Sequence, residues 1–307
     1  MRARLTLLAV LMLSGAATLT ETAPAHGDRS CSAKLGTIAP VPSLPYDPFD
    51  GVARNVSFAV EVINTSSDDC QVSLAIASQN SNTQRAFKMG AQKLRYGVET
   101  PSGSTYPNSL TQPLGATSLP GGQGKRKTIT VVVKVPAGII APAGAYADVL
   151  SVQLFRNGNG SGTALGSART LNAAAVVEAR AQINIAGASG VSSSSSFAVD
   201  RLDFGTLSSG EQKNAFVQVR TTKEVTFTVR SQNLGKLKHQ TLTSDPGIAY
   251  TMKLDGVNVD LSSAATLHRA PAVSLDGTSY PLSVKIGDVG GRPSGNYKDL
   301  LTITVSP

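Results

Sequence analysis

The stretch G295-N-Y-K-D-L-L-T-I-T-V305 has a counterpart 151 residues earlier, G144-A-Y-A-D-V-L-S-V-Q-L154. Gly144, Tyr146, Asp148, Leu150 and Val152 stand where the later copy has Gly295, Tyr297, Asp299, Leu301 and Ile303. Leu301, Ile303 and Val305 alternate with Thr302, Thr304 and Ser306, the period of a strand with one buried face. The match extends upstream at the same offset. Val131, Val133 and Val135 align with Leu282, Val284 and Ile286, and Pro142 aligns with Pro293. Two earlier blocks agree in order, at offsets of 153 and 154. V72-S-L-A-I-A-S-Q-N80 aligns with V225-T-F-T-V-R-S-Q-N233, and L94-R-Y-G-V98 aligns with I248-A-Y-T-M252. The sequence is one domain written twice.

Composition sets the class of that domain. The 307 residues suffice for two domains, and 41% are hydrophobic. Aromatics are only 5%, with no Trp, and no long amphipathic helical stretch occurs. Each copy reads as six or seven short strands joined by Gly, Pro and Asn turns. That is an all-β chain of two immunoglobulin-like β-sandwiches. In the second copy strands are expected near 197–204, 214–220, 224–232, 247–254, 280–286 and 297–306. Tyr146 and Tyr297 fall where a tyrosine corner would lie. Asp148 and Asp299 hold a repeated turn position that favours backbone hydrogen bonding. The Gly/Ser run A186-G-A-S-G-V-S-S-S-S-S196 reads as a linker.

The copies differ after the shared strand. The first continues into V176-V-E-A-R-A-Q-I-N-I185, which alternates apolar and polar residues and is expected to close the first sandwich. The second has no counterpart before Pro307. It is expected to expose an apolar groove formed by Phe204, Val219, Phe227, Val229 and Tyr250 with Leu301, Ile303 and Val305. Such a groove with an unpaired edge invites a strand from another chain.

Export is written at the N-terminus. Arg2 and Arg4 precede the apolar run Leu5–Leu13, and Ala23-Pro24-Ala25 fits a small-x-small cleavage rule, with cleavage after Ala17 as the rival. Cys31 and Cys70 are the only cysteines, and in an exported chain a disulfide is the expectation. The formal charge of +8 is scattered apart from Lys125-Arg126-Lys127, without interleaved aromatics, so nucleic acid is not an expected partner. A pull toward anionic surfaces or polymers fits the sign. The three histidines, His26, His239 and His268, adjoin no carboxylate pair or serine motif. No catalytic site, metal or cofactor is expected.

S196-F-A-V-D-R-L-D-F-G-T-L207, V225-T-F-T-V-R-S-Q-N-L-G235, I248-A-Y-T-M252 and G295-N-Y-K-D-L-L-T-I-T-V305 resemble the spore coat protein U domain. That domain builds the pilins of archaic, Csu-type chaperone–usher pili. The resemblance is good over 196–307 and weaker over 31–185, where the F-G opening is missing. It implies a signal peptide 1–25, an adhesin domain 26–186, a linker 187–196 and a pilin domain 197–307. It implies a two-domain tip adhesin, exported through the periplasm to the cell surface for adhesion and biofilm formation. Its partners would be a periplasmic pilus chaperone, an outer-membrane usher, an adjacent pilin subunit donating a strand, and an abiotic or host surface. Only H-G-D-R-S lies between the cleavage site and Cys31, which leaves no alternating donor segment and favours a fibre end. The alternative is a structural pilin or coat subunit without its own ligand. Strand counting puts the 99–127 and 156–171 connections at the distal pole, so the expected surface-binding residues are Tyr106, Leu110, Leu114, Leu119, Ala164 and Leu165. The apolar 38–49 stretch is expected at the proximal pole.

Overall fold

The computed structural model describes residues 31–81, 83–156, 162–187 and 201–307. The expected leader, most of the Gly/Ser run and residues 197–200 of an expected strand lie outside the described residues.

The first unit contains β1 (Ala33–Ile38), β2 (Leu44–Tyr46), β3 (Arg54–Asn64), β4 (Cys70–Ser78), β5 (Ala86–Met89), β6 (Gln92–Arg95), β7 (Gly97–Glu99), β8 (Leu114–Leu119), β9 (Arg126–Val135), β10 (Gly144–Arg156) and β11 (Thr163–Val177). One sheet runs β1-β3-β9-β7, and the facing sheet runs β2-β11-β10-β4-β8, with the β5–β6 hairpin attached to β10. The inward residues alternate, as Val60 and Val62 on β3 and Val131 and Val133 on β9 illustrate, and they meet in one apolar core. Cys31 and Cys70 form a disulfide with Cα atoms 5.0 Å apart.

The second unit contains β12 (Ala181–Ala186), β13 (Gln212–Thr221), β14 (Val225–Ser231), β15 (Lys236–His239), β16 (Ile248–Leu254), β17 (Val257–Val259), β18 (Ala265–Arg269), β19 (Thr278–Ile286), β20 (Tyr297–Lys298) and β21 (Leu301–Ser306). One sheet runs β12-β13-β19-β16-β15-β20, with β17 on β16, and the other runs β18-β14-β21. A separate core lies between them. The chain is all-β, with no helix among the described residues. Six strands are duplicated in order: β1-β3-β9 reappears as β12-β13-β19, and β10-β4-β8 as β21-β14-β18.

Two expectations are corrected here. Residues 176–185 do not form one closing strand. The closing strand is β11, which pairs with β10 from Gly144↔Val177 to Arg156↔Thr163. Its alternation ends at Val177, and β12 leaves for the other unit, pairing with β13 from Ala181↔Thr221 to Ala186↔Phe216. The change of core therefore falls at 178–180 and not in the Gly/Ser run, which begins after β12. Residues 201–204 also form no strand. The first has a plain cause: a period of two survives a change of sheet, so alternation alone does not reveal which partner a strand serves.

The junction is built on buried Thr221 and Thr222. Thr222 Oγ1 accepts from Arg180 N (2.9 Å) and donates to Glu178 O (2.8 Å). Ala143 N donates to Thr222 O (2.8 Å). The Arg180 Nε pairs with Asp47 at 3.1 Å, and the Arg220 guanidinium stands 5.2 Å from the Phe49 ring centroid. The 44–49 part of the 38–49 stretch is thus at the proximal pole, whereas Ile38 and Ala39 lie beside Val60 and Ala59 midway along β3.

Candidate functional site

Strand β21 is the place where duplication fails. Its twin β10 pairs with β4 on one edge and with β11 on the other. Strand β21 pairs with β14 alone, from Thr226↔Ser306 to Ser231↔Leu301. Its second edge carries no strand among the described residues. Burial follows the pairing. Leu150, Val152 and Leu154 are each 0% exposed, whereas Leu301, Ile303 and Val305 at the matching positions are only half-buried. Across the gap, β12 approaches β21 with Ile183 exposed and Ile185 half-buried. The result is a slot between two strand edges with apolar walls.

The backbone leading into the slot is fixed in the same way in both copies. Tyr146 Oη donates to Pro142 O (2.8 Å), and Tyr297 Oη donates to Pro293 O (3.0 Å), so both expected tyrosine corners are present. Asp148 Oδ2 accepts from Ser78 Oγ (2.6 Å) and Tyr96 Oη (2.5 Å). Asp299 Oδ2 accepts from Ser231 Oγ (2.6 Å) and Tyr250 Oη (2.5 Å). Each aspartate also accepts from the next backbone N–H through Oδ1. Burial, then the aspartate hydrogen bond, pushes the Tyr96 and Tyr250 phenols well above their ordinary range. Gly295 has φ +152°, and a Cβ there would stand 2.1 Å from His239 Nε2. Glycine is the residue that fits that entry.

The expected groove residues divide. Val219, Phe227, Val229 and Tyr250 are already buried in the second core and do not face an open cleft. Phe204 is half-buried against that core, beneath Lys213 Nζ at 5.6 Å from its centroid. Leu301, Ile303 and Val305 do line the unpaired edge. The second core is buried among its own strands, and the unpaired stretch is confined to the slot between β12 and β21. Ile183 and Ile185 of β12 were missed as rim residues. Their alternation was visible in the sequence but was assigned to the first copy.

The expected surface loops divide too. Tyr106 is 1% exposed and Leu119 0%, both in the first core, which excludes them from a contact surface in this fold. Burial pushes the Tyr106 phenol up to about 12. Leu114 and Leu165 are half-buried against the core, Leu110 is half-buried, and Ala164 is exposed. Register places them along the sandwich. The far pole carries the Arg156/Thr163 end of the β10–β11 pair, the disulfide and the 64–69 and 120–125 turns. Residues 105–110 instead lie along the side, with Tyr106 N donating to Val98 O (2.8 Å) and Asn108 bridged to Ile76. Far-pole turns are polar and tied together. Asn64 Nδ2 donates to Asp68 O (2.8 Å) and Pro120 O (2.9 Å), and Asp69 Oδ1 accepts from Gly121 N (2.5 Å). Of the expected residues, Ala164 and Leu165 stand at that pole, together with buried Leu119 at the end of β8.

Among the described residues no group of three or more His, Cys, Asp or Glu could hold a metal. No family model and no curated protein matches the chain. Solved structures with a similar arrangement include a chaperone–tip adhesion subunit pre-assembly complex of archaic Csu pili from Acinetobacter baumannii, at 15% identity and TM-score 0.46, covering 88% of this chain and 100% of that one. The CupB6 tip adhesin of Pseudomonas aeruginosa follows at 10% identity and TM-score 0.36, covering 90% of this chain and 94% of that one. CfaE, the adhesive subunit of CFA/I fimbria of enterotoxigenic Escherichia coli, has 15% identity and TM-score 0.35, covering 77% and 81%.

Proposed function

We propose that this chain is a tip adhesin of a chaperone–usher pilus, whose second unit joins the fibre by accepting a strand on β21. One observation carries the reading: β21 keeps an open edge where its internal twin β10 is covered by β11. Half-buried Leu301, Ile303 and Val305 make that edge a template for an added strand. The periplasmic chaperone would fill it first and an adjacent pilin next, with the usher as the assembly platform. The first unit needs no such strand and is left to meet an abiotic or host surface, with the Ala164–Leu165 hairpin end at its far pole as the contact nearest the target. Export through the periplasm to the cell surface belongs to the same reading.

Immunogold labelling of sheared pili from cells expressing the full chain tests it. Gold at single fibre ends is the expected result. Label along the shaft would make the chain a structural subunit, and an unlabelled fibre with free monomer in the medium would refute the reading. Ile303→Asp, which places a charge on the slot wall, should remove the label altogether.

A further inference from the structure

The two copies also differ at a cluster of cations on the first unit. Between Asp69 and Glu99 the sequence holds no acidic residue, yet it holds Arg85, Lys88, Lys93 and Arg95. Duplication shows which of these the scaffold requires. Tyr96 N donates to Arg85 O as Tyr250 N donates to Gly235 O, so Arg85 stands at the place of Gly235. The Tyr96/Tyr250 match likewise puts Lys93 and Arg95 at the places of Gly247 and Ala249. The same sandwich is therefore built without these three charges.

Lys93 and Arg95 lie two apart on the exposed face of β6, about 7 Å along the strand. Lys88 is directly opposite Lys93 on β5. None of the three makes an ion pair among the described residues, whereas Lys134 and Arg126 on β9 and Arg54 at the start of β3, in the facing sheet, each have a carboxylate. Beside the hairpin is an open pocket of about 460 Å³, walled in part by Arg85, Arg95, Gln84, Thr105 and Asn108. Arg85 is 5% exposed and donates to the carbonyls of Ile76 (2.5 Å), Tyr106 (2.7 Å) and Pro107 (2.7 Å). Its Nε has no partner. This buried fork fixes the 105–108 loop as the pocket's wall.

We infer that the β5–β6 hairpin and this pocket bind a carboxylate-bearing polysaccharide, with Lys88, Lys93 and Arg95 meeting successive charges of the chain. Arginine suits a carboxylate because its fork can bind both oxygens. At the pocket's rim the exposed Gln84 amide and Thr83 and Thr105 hydroxyls suit sugar hydroxyls, and Pro107, Pro136 and Ile139 offer an apolar floor for a sugar ring; the Asn108 amide is already bound to Ser78 N and Ser81 O. Nucleic acid is disfavoured because Phe87, Tyr96 and Tyr106 are all buried, leaving no ring on which bases could stack. The inference rests on the adhesive reading of the first unit and adds to its far-pole contact a second, lateral site toward the Gly144 end of β10, where Lys88 lies opposite Ala147.

The test is binding of the full chain to immobilised polyuronate fragments, with dextran and a single-stranded oligonucleotide as comparators. Polyuronate should bind best, and more weakly as salt rises. The exposed double variant Lys93→Glu/Arg95→Glu should lose at least tenfold in affinity with an unchanged Tm. It should still bind a synthetic Thr163–Val177 peptide at β21 as wild type does, so failure here is distinguishable from failure of the strand-accepting reading. Undiminished binding by the variant, equal binding to dextran or the oligonucleotide, or no polyuronate binding at low salt would each overturn the inference.

Discussion

Covering β21 with the chain's own closing strand would complete the second sandwich. Pro307 occupies the position of Arg156, so the segment 157–177 can be appended directly after it, carrying the N157-G-N-G-S-G162 turn sequence and Thr163–Val177. By the β10–β11 register, Leu171 would face Leu301, Ala173 would face Asp299, and Ala175 would face Tyr297. Finishing the burial of Leu301, Ile303 and Val305 contributes about 3 kcal/mol, and burying Leu171, Val177 and the two alanines about 5 kcal/mol. Ladder hydrogen bonds over the twelve register pairs add about 10 kcal/mol, at a little under 1 kcal/mol each. Ordering the fifteen residues Thr163–Val177 costs about 1 kcal/mol each, which leaves a net gain of about 3 kcal/mol. For a unit of this size that corresponds to a rise of roughly 10 °C in the second melting transition. Calorimetry and size-exclusion chromatography read the outcome, a monomer with a raised second transition. A graft shortened by one residue in the turn turns the apolar face outward and should gain nothing. If both grafts melt alike, or the in-register graft aggregates as readily as the parent chain, the open edge is not a strand-accepting site.

Three further outcomes follow from the same structure. Reducing the Cys31–Cys70 disulfide, which closes a separation of 39 residues, should cost the first unit about 4 kcal/mol and leave the second transition in place; equal loss in both would contradict two separate cores. Leu119→Ala should destabilise the first unit by about 2–5 kcal/mol, whereas Ala164→Asp should leave its melting unchanged and lower attachment to surfaces; the reverse pattern in melting and adhesion assays would move the contact surface back onto the 114–119 strand. Tyr250 has a raised pKa in the folded state, so its contribution is fully present below the ordinary phenol value near 10 and is lost as pH rises above it. Tyr250→Phe should therefore flatten the fall of the second Tm above about pH 10, and an unaltered slope there would count against the buried phenol.

Duplication was legible because Gly144/Gly295, Tyr146/Tyr297 and Asp148/Asp299 perform the same local task in each copy, and such tasks constrain residue type. The matched strands at 131–135 and 282–286 were legible because both copies bury the same face. Partner choice was not. Ile183 and Ile185 alternate equally well on either sheet, and only the pairing with β13 reveals which core they serve. Loop residues were misjudged for a related reason. Tyr106 and Leu119 look like apolar groups on a long polar connection, but Arg85 pins the first inward through backbone carbonyls, and β8 pairing with β4 turns the second inward. A side chain's neighbours across space carry no mark in its neighbours along the chain.

The three residues between Val177 and Ala181 carry a mechanical consequence. A tether pulling the first unit away from an anchored second unit transmits tension from β11 directly into β12. Strand β11 is held lengthwise along β10, and β12 lengthwise along β13. Tension along those strands loads each ladder in shear, so many hydrogen bonds resist together instead of opening one after another. Thr222, which binds Glu178 O and both the N–H and the carbonyl of Arg180, shares that load. A few hydrogen bonds at the clasp stand against a whole ladder on either side, so the clasp is expected to open before either sandwich.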